Sequence, residues 1–136
     1  MTALTADFDC PTIEGKFRTV PVAAGAIIYA GALVVLAAGV AQPGSTALNL
    51  VALGRAEAQA NNSGGAAGAI NVRVRRGTFL WNNSTGADAI TEAAIGEPCY
   101  IVDDNTVALT NGTNTRSVAG TIFDIDAATG NVWVTI

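Results

Sequence analysis

The chain has 136 residues, half of them hydrophobic, only 13% charged and none of them His, with a formal net charge of −4. That length suits a single domain able to bury about two-thirds of its unfolded surface without a disulfide or metal. The absence of His removes the commonest general base and metal ligand, and the acidic balance argues against nucleic acid as a partner.

Residues 1–16 have mixed polarity and no hydrophobic period, so they read as an extended N-terminal arm with the isolated apolar anchors Leu4, Phe8 and Ile13. The opening residues lack a basic segment followed by an apolar one, and no secretory signal is expected. Cys10 and Cys99 are accordingly expected as free thiols. Residues 17–136 then read as one β domain.

The 36 residues from Thr19 to Gly54 carry no charge. One helix over 20–40 would be long enough to cross a bilayer. Pro21, Gly25, Gly31 and Gly39 instead punctuate the run at strand-and-turn spacing, and Ile27, Ile28, Val34 and Val35 are β-branched. No membrane span is expected. Strands are predicted at 17–22, 26–30 and 32–36, a turn at 42–45, and a further strand within 48–58. The stretch 61–68 lacks the spacing of a phosphate-binding loop and reads as a flexible hairpin loop.

Strands follow at 69–75 and 77–81. In the first of these, Val72 and Val74 alternate with Arg73 and Arg75, a half-buried strand with a basic outer stripe, and Arg76 is expected to point the opposite way unless Gly77 introduces a bulge. The spacing at 91–96 predicts a single helical turn, and no other helix is expected. Strands at 99–102 and 106–109 flank Asp103-Asp104-Asn105; strands at 117–126 and 131–136 flank a four-residue loop. Val132, Val134 and Ile136 share one face of the last strand, which puts Trp133 on the other as a candidate contact residue. Short strands in such an array close into a small sandwich or barrel, so the fold class is all-β with at most one short helix.

The acidic pairs Asp103/Asp104 and Asp124/Asp126 allow a Ca²⁺ site or an acid/base pair on paper, but read better as turn chemistry and a solvated strand face. No catalytic residue, cofactor or metal is expected, and the chain does not read as an enzyme. A faint internal echo is present: Leu33-Val34-Val35 precedes a strand through Gly54, as Tyr100-Ile101-Val102 precedes a strand through Gly120.

In their order and spacing, several segments resemble the small bacteriophage capsid cement (head decoration) proteins. They are Pro21 to Gly25, Ile28 to Val34, Pro43 to Thr46, Val51 to Glu57, Asn62 to Gly68, Val72 to Gly77, Tyr100 to Asp104, Ala119-Gly120 and Val132 to Val134. The resemblance spans nearly the whole chain, although each motif is mostly Ala, Gly and Val. It implies a β domain with an N-terminal arm, made in the bacterial host cytoplasm and carried on the outer surface of the virion head. The implied partners are the major capsid protein and further copies of the chain, as a homotrimer or a dimer, with no nucleic acid and no membrane. Leu4, Phe8 and Ile13 are then expected to insert between capsid subunits, and Arg73, Arg75, Arg76 and Trp133 to lie in an interface. A tail or baseplate module, a glycan-binding or fibre-anchoring β domain, and an enzyme subunit completed by a partner remain open.

Overall fold

The computed structural model describes residues 2–136, and Met1 lies outside them. Twelve strands account for almost all of its regular structure: β1 Phe17–Pro21, β2 Ile27–Ile28, β3 Leu33–Ala37, β4 Val40–Pro43, β5 Val51–Ala56, β6 Ala60–Asn61, β7 Asn71–Arg75, β8 Thr78–Asn83, β9 Pro98–Ile101, β10 Thr106–Ala108, β11 Val118–Ile125 and β12 Val132–Thr135. The expected all-β class holds. Residues 2–16 form no strand and are exposed throughout.

The strands build two neighbouring β structures. The C-terminal one is a closed five-stranded barrel in the order β10-β8-β12-β11-β9. The N-terminal one is a five-stranded sheet in the order β1-β7-β5-β3-β4, with the β2-β6 pair beside it. This sheet also curls towards closure. Val22 makes a parallel bridge to Ala41, and the Ala23 N–H donates to the Ala41 carbonyl at 3.0 Å, bringing β1 against β4.

The two halves share one topology. In each, the first strand lies antiparallel to the last, and the chain's third barrel strand returns parallel to the first: Val22 to Ala41 in one half, Asn83 to Val107 in the other. Phe17 pairs with Arg75 as Thr78 pairs with Thr135. Val34 opposes Gly54 and Val35 opposes Ala52, skipping Leu53; Cys99 opposes Gly120 and Tyr100 opposes Val118, skipping Ala119. The echo around the two glycines is therefore structural, but Tyr100 corresponds to Val35 rather than to Leu33. A bulge in the second long strand of each half places its glycine under the last strand. A Cβ on Gly54 would lie 2.0 Å from the Arg75 carbonyl oxygen, and one on Gly120 would lie 2.3 Å from that of Thr135. Only glycine fits at either point.

The unbroken apolar stretch Leu33 to Val35 at the centre of the uncharged run is explained by where β3 sits. Leu33 and Val35 join the barrel's core cluster, with Phe79, Trp81, Ile101, Ile122, Val132 and Val134. Val34 points the other way into the sheet's own cluster, with Val22, Ile28, Leu53 and Val74. A strand buried on both faces carries apolar residues continuously instead of alternating. Among the described residues, no helix is long and apolar enough to cross a membrane.

Three local expectations change. Residues 42–45 were expected as the turn, yet β4 runs through to Pro43, and the chain reverses at Ala38 (φ 49°) and Gly39 (φ 86°). Positive φ at both central residues is the hairpin geometry matched to strand twist, and Pro43 is tolerated because it ends an edge strand. The helical turn expected at 91–96 is a short 3-10 turn, Glu92–Ala94, and a second one, Gly86–Asp88, precedes it. The 61–68 loop is tied down rather than free: the Asn62 side chain is buried, and its amide donates to the carbonyls of Ala23 and Ala66, both at 2.9 Å. Buried amides are retained where they satisfy backbone groups in this way.

Candidate functional site: a basic, aromatic face beside an acidic arm

The valine–arginine alternation of β7 comes out as expected, with Val72 and Val74 buried and Arg73 exposed. Neighbouring strands supply the rest of that face. Cross-strand pairing sets Phe17 opposite Arg75, and Arg75 opposite Arg55. The half-buried Phe17 ring is ringed by cations: Arg73 lies 4.1 Å from its centroid, Lys16 5.6 Å and Arg75 5.9 Å. Each such contact contributes about 0.5–1 kcal/mol at an exposed site, enough to order the arginines over the ring. Arg75 is held close enough that its Nε is buried without a hydrogen-bond partner.

Arg55 joins this stripe to the barrel. Its guanidinium stacks 4.8 Å above Phe79 and pairs with Glu57 at 2.8 Å. The hydrogen bond from Arg55, with the nearby charges of Arg75 and Arg73, holds the Glu57 carboxyl below its usual range. Beyond Arg55 lies an open cleft of about 280 Å³ between the two β structures, lined by Gly31, Leu80 and Trp133 among others. Trp133 sits opposite Leu80 on the outside of the barrel, 37% exposed, with Asp124 on its other side. A bulge at Phe123 breaks the inward–outward alternation of β11 and leaves that ring 62% exposed. Arg73, Arg75 and Trp133 thus belong to one face, connected by Arg55. Arg76 lies just past the end of β7, with its backbone N–H donating to the Lys16 carbonyl at 2.8 Å.

Charge is strongly segregated around this face. Lys16, Arg18, Arg55, Arg73, Arg75 and Arg76 face a single carboxylate, Glu57, between residues 16 and 77. Residues 78–136 carry seven carboxylates and one cation, Arg116. That cation is engaged with Asp88 at 3.2 Å; Thr110, by its hydroxyl hydrogen bond, and then Arg116 pull the Asp88 carboxyl below its usual range. The arm is acidic too, through Asp7, Asp9 and Glu14. A chain of net charge −4 therefore presents one basic face.

The arm residues Leu4, Phe8 and Ile13 are 73%, 63% and 90% exposed, and the arm brings none of them to the domain's core. The acidic pairs behave as turn chemistry in the main. Asp103 accepts from the Asn105 N–H at 2.9 Å, and Asp126, outside β11, accepts from the Thr129 hydroxyl at 2.6 Å across the final loop. Asp104 edges a second hollow beside Tyr29, where burial, and then the charge of Asp103, push its carboxyl up. Cys10 and Cys99 are both free, and burial pushes the Cys99 thiol up to about 12, far from a reactive thiolate.

Sequence reasoning missed Phe17, Arg55, Glu57 and Phe123. Phe17 between Lys16 and Arg18 was a local signal. The others depend on strand register and on a bulge. The face has the makings of a recognition surface: fixed guanidinium groups for carboxylates, aromatic rings for apolar contact, and an adjoining cleft. No family of known proteins, no characterised protein and no solved structure matches the chain.

Proposed function

We propose that the protein is a capsid decoration (cement) protein that binds the outside of a bacteriophage head and bridges major capsid protein subunits. The observation that carries this reading is the arm: a segment with three large apolar side chains exposed to water, attached to a rigid double β structure. Exposed anchors of that kind are stabilised by burial in a partner, at about 1.5–3 kcal/mol per side chain. The order and spacing of the cement-like motifs along the chain support the same reading, as does the sparsely charged surface.

The mechanism follows from linkage. A head shell strains its subunit contacts as it expands and fills. A protein that binds the expanded lattice and not its precursor shifts the equilibrium towards the expanded state. Individual copies need bind only modestly, because self-association lets several arms engage together and slows release. A closed homotrimer suits a three-fold position in an icosahedral shell.

The basic face is tested on purified expanded heads by co-sedimentation. Arg73→Glu with Arg75→Glu removes two fixed cations and adds two carboxylates. We expect occupancy to fall at least about tenfold at low salt, with weaker salt dependence and an almost unchanged unfolding temperature. Equal binding of the double variant and the wild type at low and high salt would remove the face from the capsid contact.

A further inference from the structure

We propose that the acidic arm of one copy docks on the basic face of a second copy, so that copies are linked by exchanged arms. Two parts of the same chain are complementary in charge. The arm is exposed, forms no strand, and carries Asp7, Asp9 and Glu14 without one cation before Lys16. The face carries Arg73 and Arg75 over Phe17, with Arg55 opposite Arg75 and paired with Glu57.

Their spacings match. In an extended chain, residues two apart project from the same side about 6.6 Å apart. Asp7 and Asp9 are two residues apart, as are Arg73 and Arg75 on β7, so an arm that docks in extended form presents its carboxylates at the spacing of the two guanidinium groups. Carboxylate–guanidinium pairs formed at such a spacing are charge-assisted and directional. An arm seated this way turns Leu4 and Phe8 to the opposite side, away from the sheet. They stay free to meet another surface while Asp7 and Asp9 hold the neighbour.

Chain direction favours a second copy over the arm's own domain. β1 runs antiparallel to β7, with Phe17 beside Arg75 and Thr19 beside Arg73. The arm therefore leaves past Arg76, where the Lys16 carbonyl accepts from the Arg76 N–H, and heads away from Arg73. Reaching its own stripe would require the arm to double back within a few residues. Reaching a neighbour's stripe does not. Exchange of an identical element between copies is an accessible route to an oligomer.

The test uses free full-length protein without heads, so its failure leaves the capsid reading standing. Sedimentation velocity over a concentration series at low salt should show reversible self-association of the wild type, weakening as salt rises. Asp7→Lys with Asp9→Lys, and separately Arg73→Glu with Arg75→Glu, should each weaken association at least about tenfold, because like charges then face each other. Circular dichroism should show both variants folded. Mixed in equal amounts, they should associate again, since the basic arm of the first suits the acidic face of the second, and the native arm of the second suits the native face of the first. A wild type that is monomeric at every concentration would overturn the proposal. So would variants that self-associate like the wild type, or a mixture that stays monomeric.

Discussion

Gly54→Ala will cost about 4 kcal/mol of folding stability or abolish folding, and Gly120→Ala about half as much. Gly54 has φ 134°, a region that L-residues avoid, and a Cβ there would also meet the Arg75 backbone carbonyl at 2.0 Å. Strain and overpacking contribute roughly 1–3 kcal/mol each, and both fall on this residue. Gly120 occupies the equivalent place in the barrel, 2.3 Å from the Thr135 carbonyl, without the positive φ. Only the steric part applies to it. Neither neighbour can yield cheaply, because each is backbone within a paired strand. Urea denaturation of the two variants measures the difference. If both unfold within about 0.5 kcal/mol of the wild type, as ordinary surface substitutions do, the close approach of each glycine to the last strand of its half is wrong.

Deleting residues 2–14 will leave the β domain folded and remove head binding. The buried core begins at Val20, and Leu4, Phe8 and Ile13 take no part in either hydrophobic cluster. The unfolding temperature should therefore stay within a degree or two. Binding should fall by more than about a hundredfold. Burial of three large apolar side chains is worth several kcal/mol in total, only part of which is offset by ordering the arm. Truncated protein that decorates heads at unchanged occupancy would show that the arm is not the anchor.

Strand positions were legible because they depend on local chemistry. Glycines at 25, 31 and 39 break the apolar run, and the Val–Arg alternation of β7 shows one wet face and one dry one. Asp103-Asp104-Asn105 and 127–130 mark their hairpins for the same reason. β4 was missed because Pro43-Gly44 is a stronger turn signal than Ala38-Gly39, and only the structure shows the left-handed backbone at the latter. The topology that the sheet and the barrel share was visible merely as an echo around Gly54 and Gly120, since it depends on contacts between residues far apart in the chain.

The candidate face was partly legible. Arg73, Arg75 and Trp133 were identified from alternation within single strands. Their union was not, because it depends on β5 lying between β7 and β3 and on Arg55 reaching over Phe79. Phe17 entered through its register with Arg75. The bulge at Phe123, which turns Asp124 outward beside Trp133, is a feature that no periodicity reveals.

Recognition of an expanded head shell is the core of the proposed function. Labelled wild-type protein titrated onto purified precursor heads and purified expanded heads, with bound copies counted after sedimentation, tests it most directly. We expect saturable binding to expanded heads, at a fixed number of copies per shell, and at least about tenfold weaker binding to precursors. Equal binding to both forms, or no saturable binding to either, would contradict it.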